Sequence, residues 1–271
     1  MGDASRLSAV PAAIEHLGRA FVAGVEEFGY YFLLGVESIY WLLFGWTKRQ
    51  PVRWSAMAAQ MVSIGIAATP IVSILAFTIG VMLAIQGIAT LRTFGAEDQV
   101  VTGIAFSITR EFAALITAIV VAGRSGSALA ARIGTMQVSQ EIDALRVMSI
   151  NPVRYLASPV LAAMLLMVPS LTLIADFAGL FGGAVFTNLE LGLSYPAYLD
   201  RTLATIVFED VQQGLVKSLV FATIITVIGV SNGFQVTGGA EGVGRATTRA
   251  VVLSISYIVI ADMLFTYFLN R

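Results

Sequence analysis

The fold is decided by residues 54–91, which read WSAMAAQMVSIGIAATPIVSILAFTIGVMLAIQGIATL and contain no Asp, Glu, Lys or Arg. A helix needs about 20 mainly apolar residues to cross the hydrocarbon core of a bilayer, and this stretch exceeds that length. Of the 271 residues in the chain, 57% are hydrophobic and only 12% are charged. Soluble domains carry about 25% charged residues. The sequence therefore predicts an all-α polytopic membrane protein, because lipid is the solvent that such a surface requires.

Hydropathy predicts five membrane spans and divides the chain into residues 1–60 and residues 61–271. The first part holds N-terminal cytoplasmic and interfacial helices, and the second is a five-span domain with a long hydrophilic loop at 124–154. The predicted spans are Met61–Leu91, Val100–Gly123, Tyr155–Phe186, Val211–Phe234 and Thr248–Asn270. Five spans cannot form the two equal inverted halves of the usual secondary transporters. A pathway through the membrane would instead lie between two copies of the chain.

An earlier apolar stretch, Phe28–Trp46, has two interpretations. It is long enough to span the membrane, but Glu37 lies at its centre and it is rich in Tyr and Trp, which prefer the headgroup level of a bilayer. Strongly amphipathic helices can lie in the membrane interface. We interpret this stretch as an interfacial elbow helix, with a further span as the alternative.

Basic residues are distributed unevenly between the two ends of the predicted spans. Eleven basic residues lie before span one, between spans two and three, or between spans four and five. Three lie at the opposite ends of the spans. The larger set is Arg6, Arg19, Lys48, Arg49, Arg53, Arg124, Arg132, Arg146, Arg154, Arg245 and Arg249. The smaller set is Arg92, Arg201 and Arg271. Because basic loops remain in the cytoplasm, we expect a cytoplasmic N-terminus and an external C-terminus. Residues 1–27 do not resemble a signal peptide.

Several chemical functions lack the residues that they need. The net charge of −1 gives no electrostatic case for nucleic acid, the chain has no Cys, and His16 is its only His. Neither glycine-containing stretch predicts a nucleotide site, because Gly123–Ser127 has no lysine and Gly239–Gly244 lacks a βαβ context. The sequence therefore predicts a protein that is not an enzyme and that binds no metal or cofactor itself.

The loop between spans two and three is the most informative hydrophilic segment. From Gly123 to Pro159 it reads GRSGSALAARIGTMQVSQEIDALRVMSINPVRYLASP. Its opening contains small residues that let helices pack closely, and Val138–Met148 then predicts a short amphipathic helix capped by Ser139. The helix is either a solvated surface helix or a coupling helix, meaning a rigid segment that docks on a partner ATPase. The packing and loop positions are Gly123, Arg124, Gly126 and Ser127, and the candidate docking positions are Glu141, Ile142, Asp143, Ala144, Leu145, Arg146 and Met148.

Two stretches carry a resemblance to a known family. GRSGSALAARIGTM with EIDALRVMSINPVRYLASP resembles the central signature of the MlaE/YrbE permeases. GGAEGVGRATTRAVV (Gly238–Val252), which includes Gly242 and Gly244, is similar to the glycine-rich loop of the same family. The resemblance covers most of Arg110–Asp262, and the number of spans agrees. These permeases are the membrane subunits of ATP-driven lipid transporters associated with MCE-domain proteins.

The resemblance implies a particular assembly. Two copies would form a homodimer in the bacterial inner membrane, and each would dock a cytoplasmic ABC ATPase, which uses ATP and Mg²⁺, through Glu141–Met148. A periplasmic MCE-domain protein would lie over the outer face, and membrane lipid would occupy a cavity between the copies. Phospholipid is the expected cargo, although other apolar cargo would suit the same walls, and the direction of transport stays open.

Four of the charged residues in the predicted spans stand out, because a charge costs about 2.5–3.5 kcal/mol at the bilayer centre. They are Arg110, Glu111, Lys217 and Asp262. Their spacing from the span ends, at about 1.5 Å per residue, places all four in the outer half of the bilayer. Adjacent residues on a helix point about 100° apart, so we expect Arg110 or Glu111 to face a central cavity and the other to face a neighbouring helix.

These buried charges have two interpretations. Arg110 and Lys217 could contact the phosphate of a lipid headgroup. Alternatively, the charges form structural salt bridges, for example between Asp262 and Lys217. Asp176, near the outer end of span three, is expected to be solvated.

Three functions are compatible with these residues. The first is a dimeric lipid permease driven by a separate ATPase, which the short helix between spans two and three favours. The second is an ion-coupled secondary transporter that relays protons through Glu111, Asp262 and Lys217. The third is a membrane scaffold without transport, which the buried charges disfavour.

Overall fold

The computed structural model of the chain describes residues 4–45 and 54–269. Within these ranges all regular secondary structure is helical, which confirms the all-α fold class. The helices are α1 (Ala4–Phe44), α2 (Trp54–Arg92), α3 (Glu97–Val138), α4 (Glu141–Val147), α5 (Val153–Leu191), α6 (Tyr195–Thr205), α7 (Phe208–Phe234) and α8 (Gly239–Leu269).

Five of these helices, α2, α3, α5, α7 and α8, are long and apolar enough to cross a membrane. They contain four of the predicted spans whole and residues 248–269 of the fifth, whose last residue, Asn270, lies outside the described residues. α1 does not qualify by the same criteria. α3 has 42 residues, which at about 1.5 Å per residue is roughly 63 Å. Since the hydrocarbon core is about 30 Å thick, one end of α3 must project from the membrane.

α2 and α5 are held together by backbone contact. The buried residues of α2 recur at every fourth position, as Val72, Ala76, Gly80, Ala84 and Ile88. A Cβ atom on Gly80 would lie only 1.9 Å from the carbonyl oxygen of Gly179 in α5, and one on Gly182 only 2.2 Å from that of Phe77. In lipid, where helices gain little from hydrophobic burial, such small-residue crossings allow close van der Waals packing.

Three of the spans contain π-helical segments, in which one extra residue widens a turn. In the described ranges these are residues 62–66 of α2, 108–112 and 122–126 of α3, and 153–157 of α5. π segments occur often at functional sites because they redirect side chains. The segment at 108–112 contains both Arg110 and Glu111, so the angle between these two residues is not that of a regular α-helix.

The helix between spans two and three is shorter than predicted. α3 continues to Val138 because Leu129, Ile133 and their neighbours are buried within the chain, and α4 begins only at Glu141. The prediction that Ser139 caps the helix is therefore wrong. Its hydroxyl donates to the carbonyl oxygen of Thr135, and the residue before α4 is Gln140, with φ of 60° and no side-chain cap.

α1 is joined to the segment that follows α4. Asn151 Nδ2 donates to Glu37 Oε1 at 2.8 Å, and Ser158 Oγ donates to the carbonyl oxygen of Ser38 at 3.2 Å. Trp41 Nε1 donates to the same Glu37 oxygen at 3.4 Å. Glu37, which made this stretch ambiguous in the sequence, thus has polar partners in the fold.

α1 also contacts α8. Arg249 Nη2 lies 2.8 Å from both carboxylate oxygens of Glu27, and the hydroxyl of Tyr31 donates to Glu27. Burial, and then the hydrogen bond to Glu27, raise the pKa of Tyr31, so its hydroxyl remains a donor. The elbow helix is therefore fixed to two parts of the five-span domain.

Candidate functional site

Lys217 joins three spans through a cluster of polar side chains. From α7, its Nζ lies 2.5 Å from Glu111 Oε2 on α3 and 3.0 Å from Asp262 Oδ1 on α8. It also donates to Thr266 Oγ1 at 3.1 Å. The Thr266 hydroxyl in turn lies 3.0 Å from Glu111 Oε1. We call Glu111, Lys217, Asp262 and Thr266 the charge cluster.

The contacts of Lys217 with the two carboxylates differ in kind. The contact with Glu111 is a hydrogen-bonded ion pair, whereas the contact with Asp262 has the distance of an ion pair without hydrogen-bond angles. The cluster contains two carboxylates for one ammonium group, so it is acidic if all three groups are ionised. Among the described residues, no three His, Cys, Asp or Glu side chains lie close enough together to hold a metal ion.

Arg110 forms a separate pair beside the charge cluster. Its Nε and Nη2 each lie 2.7 Å from Asp210 Oδ1 at the start of α7. The guanidinium also lies over the ring of Phe106, 4.1 Å from its centroid. The side chain of Asp210 is 1% exposed and that of Arg110 is 32% exposed. Arg110 is therefore the cation at this level that is both fixed in place and accessible.

The structure decides some of the predictions for these charges. The ion pair between Asp262 and Lys217 is confirmed. The side chain of Lys217 is 1% exposed and surrounded by its partners in this conformation, and its contact with a headgroup stays a prediction. Arg110 and Glu111 do not pair with each other, and both contact neighbouring helices. Whether Arg110 faces a cavity between two copies stays a prediction.

Two members of this region were missed in the sequence. Asp210, at the start of a span, was not a candidate in the sequence, but its carboxylate is buried and also accepts a hydrogen bond from the backbone N–H of Val207 at 3.0 Å. Thr266 is uncharged, so it does not stand out in an apolar span as a charged residue does. Its position four residues after Asp262 places it on the same face of α8, which is the spacing that could have indicated it.

Asp176 is not solvated, contrary to the prediction. It lies well inside α5, is 7% exposed, and its Oδ1 has no hydrogen-bond partner in the described part of the chain. The prediction failed because α5 continues to Leu191, which leaves Asp176 well before the end of the helix. A buried carboxyl group without partners is costly when charged.

The candidate docking residues of α4 have two orientations. Ile142 and Leu145 are buried, at 0% and 8% exposure, and therefore pack within this chain. Val147 and Met148 are 86% and 60% exposed. The other exposed residues on this segment are Glu141, Asp143, Ala144 and Arg146. Ile142 and Leu145 thus anchor α4, and a mixed charged and apolar surface that includes Met148 remains exposed.

The small residues differ in how closely they pack. A Cβ on Gly126 would lie 3.1 Å from Ile225, and one on Gly242 would lie 1.8 Å from the carbonyl oxygen of Thr237. Gly123 and Gly244 have open space around them, so they are not packing positions in this chain. Ser127 donates to the carbonyl oxygen of Gly123 at 2.6 Å.

Five apolar helices that enclose paired charges, with a short anchored helix between two of them, are the architecture of a multi-pass membrane protein. The chain matches the family described as Permease MlaE over residues 57–268. It therefore belongs to the MlaE family of ABC transporter permeases, and the resemblance found in the sequence is confirmed.

Individual relatives agree with this assignment. A probable ABC transporter permease protein of Rickettsia typhi is 37% identical over 223 residues, which is 82% of this chain and 86% of the relative. The intermembrane phospholipid transport system permease protein MlaE of Haemophilus influenzae is 29% identical over 211 residues, 78% of this chain and 81% of that protein. The chloroplastic protein TRIGALACTOSYLDIACYLGLYCEROL 1 of Arabidopsis thaliana is 39% identical over 190 residues, 70% of this chain and 54% of that protein.

Proposed function

We propose that this chain is the membrane subunit of an ATP-driven phospholipid transporter in a bacterial inner membrane. It forms a homodimer and takes its energy from ATP hydrolysis in a separate ABC ATPase. The family assignment and the Haemophilus relative, a permease protein of an intermembrane phospholipid transport system, support this function. The single observation that carries it is the guanidinium of Arg110, which is fixed by Asp210 and 32% exposed within the spans.

Arg110 is suited to a phosphate headgroup. A guanidinium has five N–H donors, and the two donor nitrogens that bind Asp210 leave others free. Arg pairs bidentately with phosphate oxygens, which gives both affinity and orientation. Lys217, held by Glu111 and Asp262, fixes the three spans around this position and does not bind the headgroup itself.

The ATPase docks on the exposed surface of α4. Val147 and Met148 supply apolar contact, while Glu141, Asp143 and Arg146 supply charge complementarity. Because Ile142 and Leu145 are buried in the permease, a displacement of α4 is passed to the helices that it packs against.

The remaining partners follow from the proposed orientation. The eleven basic residues place α4 in the cytoplasm, so α6 and the loop after α2 face the periplasm, where an MCE-domain protein receives or delivers lipid. A second copy packs against α8, which exposes Val259 and Met263 near Asp262.

The headgroup contact is tested by a neutral double variant. Arg110→Gln alone would leave Asp210 buried and unpaired, so Arg110→Gln/Asp210→Asn separates lipid contact from folding. We expect this variant to purify normally, to retain less phospholipid, and to transport lipid at least about tenfold more slowly, because a charge-assisted hydrogen bond is lost. The matched control is Arg201→Gln, which removes an exposed arginine paired with Asp98. Unchanged lipid retention and transport in the double variant would overturn the headgroup assignment.

The proposed docking of an ATPase on α4 is tested by co-purification. An ATP-hydrolysing subunit should co-purify with the chain, and Val147→Asp/Met148→Asp should release it without altering the thermal stability of the permease. The ion-coupled alternative gains support if no ATPase is retained by the wild-type chain.

A further inference from the structure

A cleft between α2, α3 and α5 lies at the α4 end of the spans, away from the charge cluster. It encloses about 430 Å³, and a smaller pocket beside it shares Gln60, Leu129, Arg132 and Val160 with it. Arg124, on its wall, follows Arg110 by 14 positions on the same helix, which is about 21 Å along the axis. The cleft is therefore distinct from the site assigned to transport.

The cleft is basic. Arg124 and Arg132 line it, and no Asp or Glu does. Arg124 Nη1 donates to the carbonyl oxygen of Ser63 at 3.0 Å, which fixes the side chain against α2. Among the described residues, no hydrogen bond or ion pair engages Arg132. Two guanidinium groups thus offer donors to an anion with no neighbouring carboxylate to compete.

The floor of the same cleft is apolar. Leu129, Val160 and Met164 lie there and are 7%, 4% and 0% exposed. A free anion such as phosphate gains nothing from these side chains, whereas a lipid can place its glycerol and upper acyl chain against them. The combination of basic rim and apolar floor matches an amphiphile with an anionic head.

The backbone around the cleft is irregular. Three of the four π segments border the cleft and its smaller pocket, at Ser63, Arg124 and Tyr155. A π insertion widens a helix and displaces the side chains that follow, and such insertions are frequent at functional sites. Because three π segments border one cleft and its smaller pocket, we regard the shape of the cleft as a specific feature of the fold.

We propose that this cleft binds an anionic phospholipid from the leaflet on the α4 side, with Arg124 and Arg132 on its phosphate and the acyl chain against Leu129, Val160 and Met164. Basic pockets between membrane helices on the cytoplasmic side favour such lipids. The bound lipid bridges α2, α3 and α5 beside the segment that leads to α4. This site requires neither the homodimer nor the transport activity proposed above.

Photolabelling of the full chain tests the proposal. The protein is placed in phosphatidylcholine nanodiscs that contain a phosphatidylglycerol with a photoreactive group on its headgroup, and crosslinks are mapped by peptide mass spectrometry. We expect labelling within residues 54–64 and 124–132, and about a tenfold loss in Arg132→Gln because a charge-assisted hydrogen bond to phosphate is removed. Arg124→Lys, which keeps the charge, should retain part of the labelling.

Controls separate this site from its alternatives. Arg245→Gln removes an exposed arginine paired with Glu241 and should leave the labelling unchanged. Glycerol phosphate in solution should not displace the probe. Equal labelling by a phosphatidylcholine probe, displacement by glycerol phosphate, or full labelling of a folded Arg132→Gln protein would each overturn the proposal.

Discussion

Lys217 is the residue on which three spans depend. Its ammonium is buried at 1% exposure and contacts side chains from α3 and α8. Ion pairs of this kind add little net stability relative to apolar residues, but the removal of one partner leaves uncompensated charge in a medium of low dielectric. The charge cluster therefore needs all of its charges to be present. The removal of one charge should cost more free energy of unfolding than the intact ion pairs contribute.

We expect Lys217→Met to destabilise the protein by about 3–5 kcal/mol, because Glu111 and Asp262 lose their counter-ion. The measurement is the midpoint of thermal unfolding in detergent. Adding Glu111→Gln and Asp262→Asn to the same protein should recover most of the loss. Arg245→Met, which removes an exposed pair worth about 0.3–0.5 kcal/mol, is the control. A Lys217→Met protein as stable as the wild type would show that the cluster is not structural.

Single residues also show what the sequence could reveal. Arg110, Glu111, Lys217 and Asp262 were identifiable because charge is rare in these segments, and the Lys217–Asp262 pair was part of one of the two interpretations that the sequence left open. The burial of Asp210 and Asp176 could not be predicted from the sequence, because it depends on where α5 and α7 begin and end in the folded chain. One interpretation had Lys217 in contact with a headgroup. The spacing from the end of a span gives the depth of a side chain in the membrane, but it does not give the direction in which the side chain points.

At the scale of helices, the contact between α2 and α5 depends on glycine. The backbones approach so closely that a side chain on Gly80 would overlap the carbonyl group of Gly179. Backbone cannot move aside as a flexible side chain can, so the helices would have to separate along their length.

We expect Gly80→Val to abolish the monodisperse peak in size-exclusion chromatography or to lower the unfolding midpoint strongly. The matched control is Gly103→Ala, because nothing lies within 4 Å of a Cβ at that position. Alanine favours helix over glycine by about 1 kcal/mol, so the control should be neutral or slightly stabilising. If both variants behave alike, the crossing is less tight than described.

The bond between α1 and the segment after α4 is a second feature of this scale. Glu37→Ala removes the acceptor for Asn151 and Trp41. Amide hydrogen exchange should then become faster in residues 148–158 and stay unchanged in residues 239–268. Glu26→Ala, on an exposed part of the same helix, should change neither region. Unaltered amide exchange in residues 148–158 after Glu37→Ala would mean that α1 does not restrain the segment after α4.

Helix boundaries show why part of the fold was unpredictable. The five spans followed from hydropathy, but the extension of α3 to Val138 depends on the burial of Leu129 and Ile133, which is a tertiary effect. The π segments have no signal in the sequence at all, because an extra residue in a turn is tolerated only where neighbouring helices accommodate it.

For the whole molecule, orientation can be tested directly because the chain has no Cys. Ala144→Cys on α4 and Asp200→Cys on α6 both place a thiol at an exposed position. A membrane-impermeant maleimide should label position 144 only in inverted vesicles and position 200 only in right-side-out vesicles. The reverse pattern would contradict the assignment of α4 to the cytoplasm and, with it, the docking of a cytoplasmic ATPase.

In the proposed mechanism, an accessible arginine in the membrane acts together with an anchored helix outside it. We propose lipid contact at the depth of Arg110 and a partner surface on α4, which lies on the side with most basic residues. The ion-coupled alternative uses the same charges, but it assigns no role to α4.

The most direct test is lipid movement by the purified complex in proteoliposomes that contain a fluorescent phospholipid. We expect transfer that requires ATP and Mg²⁺, stops when the ATPase subunit is removed, and persists when ionophores abolish any proton gradient. Transfer that continues without ATP and follows an imposed proton gradient would contradict the proposed mechanism.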